Sequence, residues 1–226
     1  MRRYVFPVIL GLAGIAILMT LGVWQLKRLG WKEAILTAIE AKIIAPAVPL
    51  STLTMPDPLR DRYLPVAVTG RTTGEEILVL SGSAAQGPGY EVINVFETAE
   101  GRRVLLDRGL ISEAAKSQLR PPVALTVIGN LAWPNESDSY TPPPDANSNL
   151  WFARDVEAMA KSLKTDPVLV VIRSAEGDSQ GILPVPVDTN GIPNDHLSYA
   201  ITWFSLAAVW AGMTGYLLWR IRKKTA

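Results

Sequence analysis

The sequence contains no cysteine and a single histidine, His196. Without cysteine there are no disulfides, thiol nucleophiles, zinc–thiolate sites, iron–sulfur clusters or covalent c-type haem attachments. The absence suits an oxidising and a reducing compartment equally. One histidine excludes any site built from two or three imidazoles, so the chain offers one strong nitrogen ligand. Charge imbalance is also missing: 22 Lys and Arg stand against 21 Asp and Glu, a net charge of +1. No polyanion partner is indicated, and no nucleic acid is expected to bind. A nucleophile elbow, a Walker loop and a dinucleotide fingerprint are all absent. The 226 residues leave room for one domain of ordinary size beside membrane segments.

Two long apolar runs are present. Tyr4 to Val23 carries no charge and, at about 20 residues or roughly 30 Å of helix, matches a bilayer core. Arg2 and Arg3 would suit the start of a cleaved signal, but no small-residue cleavage site precedes Leu21-Gly22-Val23-Trp24-Gln25. The residues after the paired arginines fit a twin-arginine signal poorly. The run therefore reads as an uncleaved membrane helix. Leu197 to Trp219 is the second run, followed at once by Arg220, Arg222, Lys223 and Lys224. Basic residues crowd both short tails, which places both termini in the cytoplasm and everything between the helices outside.

The expected order is a first transmembrane helix over 4–23 and an interfacial helix extension over 24–45. An external β-rich domain over 46–195, a second transmembrane helix over 197–219 and a basic cytoplasmic tail over 220–226 follow. In the extension, Trp24, Arg28, Trp31 and Ile35 fall on one helix face, and Pro46, Pro49, Pro56 and Pro58 then impose an extended connector. Tyr63–Gly70, Ile77–Leu80, Tyr90–Phe96, Arg103–Arg108 and Val123–Asn130 read as short strands. Gly70, Gly74, Gly82, Gly87, Gly89 and Gly101 are candidate turns between them. Residues 133–149 form a polar loop. A helix capped by Asp155 runs to Leu163, Pro167–Arg173 is a strand, and Gly181–Pro193 returns the chain to the membrane. The fold class is thus a membrane α-helical hairpin of two transmembrane helices plus one external α+β domain with a mainly antiparallel sheet or small barrel. Glu75-Glu76 reads as a solvated turn. Gly11, Gly14 and the Ala208/Gly212 and Ala211/Gly215 spacings read as helix-packing surfaces.

His196 opens the second apolar run, with Asn194 or Asp195 as the helix cap. A first-turn histidine meets the positive end of the helix dipole, and the neutral ring this favours is the form that ligates a metal. Tyr199, Ala200 and Trp203 follow at i+3, i+4 and i+7 on the same face, where two aromatics around a small residue could flank a flat macrocycle. An interfacial histidine in an aromatic belt has the same spacing, so both readings stand on spacing alone.

The stretch Leu21-Gly22-Val23-Trp24-Gln25-Leu26-Lys27-Arg28-Leu29-Gly30-Trp31-Lys32 closely resembles the signature leaving the first membrane helix of the Surfeit-locus family of cytochrome c oxidase assembly factors. Tyr63-Leu64-Pro65-Val66-Ala67-Val68-Thr69-Gly70 resembles that family's first strand. Asp107-Arg108-Gly109, Pro134-Asn135, Trp151-Phe152-Ala153-Arg154-Asp155 and Asn194-Asp195-His196-Leu197-Ser198-Tyr199-Ala200 are similar to further family motifs in the same order. Asp107 stands where the family commonly has Asn, and Leu110 where it has Trp.

The resemblance implies a protein of the bacterial inner (plasma) membrane with a periplasmic central domain. It implies non-covalent binding of haem a and delivery to the catalytic subunit of the oxidase, with haem a synthase as a further candidate partner and no enzymatic activity. His196 would ligate the haem iron, with Tyr199 and Trp203 beside it. If the helices form a hairpin, Arg28 is a candidate for a haem propionate, and Trp24 and Trp31 would shield the macrocycle edge. The rival expectation is a structural assembly factor that grips oxidase subunits and binds no haem.

Overall fold

The computed structural model describes residues 2–83, 87–145 and 148–223; of the basic tail, residues 224–226 lie outside it. The chain forms two compact units, Met1–Ala38 with Thr189–Ala226, and Ile39–Asp188. The first unit is built on two helices. α1 spans Arg2–Ile43, and the last helix, here α3, spans His196–Lys223. Both are long and apolar enough to cross a membrane. Their bulky side chains point away from protein, with Phe6 73% and Met213 63% exposed, as lipid-facing residues require.

At the seam, glycines of α1 take side chains of α3. A Cβ on Gly22 would come within 2.6 Å of the Phe204 ring; one on Gly11 would strike Thr214, and one on Gly14 the Trp210 indole. Trp210 Nε1 donates to the Gly11 carbonyl at 3.2 Å. Ala200 and Ala207 are the buried positions of α3. Gly11 and Gly14 thus act as packing surfaces, joined by Gly22. Gly212 and Gly215 do not, since nothing lies within 4 Å of where their Cβ atoms would be. Ala208 and Ala211 are exposed with them.

The second unit is a small closed barrel. Its strands are β2 Pro65–Ser83, β3 Gly87–Thr98, β4 Arg103–Ser112, β5 Ala124–Ala132 and β7 Leu169–Glu176. They run in the order β2-β3-β4-β7-β5, and β5 pairs back onto β2 to close the ring. Within the ring only β4 and β7 pair in parallel. Two short strands, β1 Val48–Pro49 and β6 Leu150–Trp151, add to β2 in parallel, so the sheet is mixed. Val66, Val68, Phe96, Val104, Leu106, Val127, Leu131, Val170 and Ile172 from all five ring strands form one buried cluster. The alternate residues Leu105, Leu169 and Val171 meet α2, Val156–Leu163, through Val156, Met159 and Ala160. Apolar burial on both faces explains why Val104-Leu105-Leu106 of β4 and Leu169-Val170-Val171-Ile172 of β7 are continuous apolar runs. Asp155 caps α2, accepting from Ala158 N at 3.0 Å.

The two runs expected as separate strands, Tyr63–Gly70 and Ile77–Leu80, belong to the single strand β2. Gly74 has φ +85° and lies where the β2–β3 register shifts between Thr72 and Glu76. A bulge bends a strand without reversing it, and Thr72 holds the bend by exchanging hydrogen bonds with Val123 at 2.9 Å. This also corrects the reading of Glu75-Glu76. Glu75 is a surface residue paired with Arg103 at 2.7 Å. Glu76, on the other face, takes Arg120 in a two-pronged pair at 2.7 and 2.9 Å, with the Arg120 side chain only 2% exposed.

The two pairs should differ sharply in weight. Arg120→Ala removes a buried guanidinium and leaves the half-buried Glu76 without it, and should cost about 3–5 kcal/mol, whereas Arg103→Ala loses an exposed pair of about 0–1 kcal/mol. Thermal unfolding of both variants in detergent checks this; equal losses would contradict it.

Candidate functional site

The first unit brings one pair of polar side chains together inside its apolar surroundings. His196 begins α3, and its Nδ1 lies 2.8 Å from Oε1 of Gln25 on α1. Gln25 is 8% exposed, and it continues the α1 face that carries Gly11, Gly14 and Gly22. Asp195 precedes the helix, and its carbonyl accepts from Tyr199 N at 3.1 Å. Asn194 does not cap through its side-chain oxygen: Oδ1 is buried with no hydrogen-bond partner, and so is Trp203 Nε1. Buried polar atoms seldom go unpaired. The stretch 194–203 therefore leaves one acceptor and one donor to be met by something other than the described residues.

The remaining expected residues divide around this pair. Ala200 is buried against α1 and Trp203 is half-buried, whereas Tyr199 is 55% exposed. On α1, Trp24 and Trp31 are about half exposed, at 50% and 53%, and Arg28 is exposed with its guanidinium 4.5 Å over the Trp31 ring. The residue of α1 that touches His196 is thus Gln25, one position after Trp24 and one helical turn before Arg28. A sequence signal for it existed: an uncharged polar residue three positions after Gly22, on the glycine face. Among the described residues, no three of His, Cys, Asp and Glu are grouped to hold a bare metal ion.

In the barrel unit, the motifs around residues 107, 134 and 154 converge on one ionic cluster, which the sequence reading did not identify. Arg154 Nη1 pairs with Glu91 at 3.1 Å and Asp107 at 3.2 Å, and its guanidinium also grips Glu136. Asp107 accepts from Gly109 N at 3.0 Å. Burial, and then the Asp107 charge, push the Glu91 carboxyl up to about 7 from its ordinary 4.5, against the pull of Arg154. Burial raises Asp107 too, again opposed by Arg154. Burial opposes ionisation of Glu136, but the Arg154 hydrogen bonds outweigh it and hold this carboxyl low. Arg108 points elsewhere and pins the 178–180 segment through Gln180 Oε1 at 2.7 Å and the carbonyls of Asp178 and Ser179 at 3.1 Å.

Comparison with known proteins places these features in one continuous match. The model of the SURF1 family matches residues 12–208. A SURF1-like protein of Monosiga brevicollis is 32% identical over 219 residues, covering 87% of this chain and 82% of its own. One of Rickettsia bellii is 30% identical over 203 residues, covering 85% and 82%. The human Surfeit locus protein 1 is 27% identical over 225 residues, covering 87% and 71%. The matched stretch takes in Gln25, His196 and the whole ionic cluster.

The cluster carries a pH signature. Glu91 binds a proton in the folded protein between its ordinary value of 4.5 and about 7 that the unfolded chain has released. Its contribution to stability is therefore present at low pH and is lost as pH rises through that window. Glu91→Gln should flatten the slope and raise the melting temperature at pH 8 by about 2–4 °C for each kcal/mol regained. A pH series of thermal melts in detergent measures both; an unchanged slope would remove Glu91 as its source.

Proposed function

This chain belongs to the SURF1 family, and from that premise we propose that it is a membrane-anchored assembly factor for cytochrome c oxidase. In this reading it binds haem a through His196 and helps deliver it to the catalytic subunit, with haem a synthase as a second candidate partner. The observation that carries the haem reading is the placement of the only histidine. It opens an apolar helix, with Nδ1 held by a buried carboxamide at 2.8 Å, in a stretch whose Asn194 Oδ1 and Trp203 Nε1 lack partners.

The residues present fit such a group. One ring nitrogen of His196 is occupied by Gln25, and the other has no hydrogen bond among the described residues. Trp203 Nε1 can donate to a polar substituent, and Asn194 Oδ1 can accept from one or from water. Haem a would supply an iron for the His196 imidazole, two propionates, and an apolar tail suited to the lipid around both helices. Arg28 sits one turn beyond Gln25, within reach of a carboxylate held near His196, and its fork can pair with one in bidentate fashion. Trp24, Trp31 and Tyr199 offer amphipathic surface at the membrane boundary. A single protein ligand suits a carrier, because a site that must surrender its cargo should not hold it by several strong bonds. The role is binding and delivery, without catalysis.

The helices would anchor the chain in a bacterial plasma membrane, with both termini cytoplasmic and the barrel periplasmic. Reporters fused to either terminus should then read cytoplasm, and one inserted at 137–140 should read periplasm. A cytoplasmic signal from the inserted reporter would reverse this assignment.

His196→Ala should abolish the Soret band acquired on co-production with haem a, or weaken haem binding at least tenfold, while the protein still inserts. In the same titrations, Arg28→Lys should bind less tightly than wild type and Arg28→Ala less tightly still. An unchanged spectrum in the His196 variant would reject the ligand, and equal affinities at position 28 would leave Arg28 as a membrane anchor.

A further inference from the structure

Gln25 lies within the apolar packing of α1 and α3, buried to 8% exposure, with its carboxamide oxygen 2.8 Å from His196 Nδ1. A carboxamide oxygen can only accept, and a neutral imidazole carries one N–H. The nitrogen that meets the oxygen must therefore hold that hydrogen, and the lone pair is left on Nε2. We propose that Gln25 is the positioning residue that sets the tautomer of His196, fixing Nδ1–H and presenting Nε2 as the free ligand atom. The inference rests on the reading of His196 as the haem a ligand and adds which ring atom binds and what holds it ready.

Two consequences follow from the chemistry of the acceptor. A hydrogen bond from the distal N–H makes an imidazole a better electron donor and fixes the ring's orientation. A neutral carboxamide does this more weakly than a carboxylate would, so the ring is oriented without being driven toward imidazolate. That strength fits a site that accepts a haem and then gives it up. The alternative role for Gln25 is an interhelical hydrogen bond that only joins α1 to α3. The two roles differ in what they require of the ring nitrogens. A carboxamide turned the other way would donate to Nδ1 and force the hydrogen onto Nε2.

A chain with one histidine makes this measurable without ambiguity, since ¹⁵N-histidine labelling gives a single pair of ring signals. In haem-free full-length protein in lipid nanodiscs, wild type should show the Nδ1–H tautomer. Gln25→Leu should lose that preference, bind haem a about 10–100-fold more weakly and shift the haem midpoint potential upward. Gln25→Glu keeps an acceptor, so it should retain Nδ1–H and shift the potential downward; it carries the test if the leucine variant fails to insert. Protonation on Nε2 in wild type would overturn the proposal, as would ring signals and haem affinity that ignore Gln25→Leu. Gln25-dependent Nδ1–H signals in a wild-type protein that takes up no haem a would support the tautomer assignment and overturn the proposed function.

Discussion

Hydrocarbon supplies no hydrogen bonds, so every polar group on a membrane helix must find its partner within the protein. In this chain that constraint is met at two places along the hairpin, while Trp203 Nε1 has no partner among the described residues. Trp210 reaches the Gly11 carbonyl at one end, and Gln25 meets His196 at the other. Hydrogen bonds between membrane helices contribute modestly, on the order of 0.6 kcal/mol each. Their larger effect is on the alternatives: any rotation or sliding of α1 against α3 leaves an indole, a carboxamide or an imidazole unpaired in lipid. The α1 glycines leave room for the Thr214, Trp210 and Phe204 side chains of α3, so that both bonds form at once. The site and the packing of the helices are thus one arrangement.

The barrel satisfies its polar groups by other means. Closing the ring removes the sheet edges, and side chains complete what the ladders leave over. Asn130 and Arg173 both donate to the Ile43 carbonyl at 2.9 Å, satisfying the last turn of α1. Arg154 neutralises the buried carboxylates Glu91 and Asp107, and the buried Arg120 pairs with the half-buried Glu76. The Asp107 carboxylate takes both Arg154 and the Gly109 amide. The charge at that strand end is matched by the arginine of another motif.

What was legible in the sequence follows from the range of the forces involved. Apolar runs, the Asp155 cap and the two long apolar helices are written in local patterns, and α1, α2 and α3 form over them. Closure of the barrel is not local: no feature of Pro65–Arg71 announces that it will pair with Ala124–Asn130. Gly74 reads as a turn because a glycine at positive φ serves a bulge and a reversal equally, whereas Gly70 lies in the paired strand, where a Cβ would strike the Glu97 carbonyl. At the site, Trp24, Arg28 and Trp31 drew the eye by their size and charge, yet in a membrane large residues turn outward and small ones pack inward. Gln25, on the glycine face, was hidden by that inversion of soluble-protein logic. His196 stood out because nothing else in the sequence could replace it.

The length of β2 has a consequence for how the barrel comes to exist. One strand of 19 residues serves as the template for both β3 and β5. The hairpins β2–β3 and β3–β4 can form as soon as their residues emerge. The β5 side of β2 must wait until residues 124–130 arrive, and the parallel β4–β7 pairing waits longer still, for residues 169–171. Pairings this distant in sequence make ring closure slow, because loop entropy is lost before contacts repay it. During that interval a three-stranded meander stands with two open, apolar edges, the state most prone to capture by other chains. Of all the strands, β7 arrives last and closes that interval: it pairs with β4 and β5 together and joins the two halves of the ring.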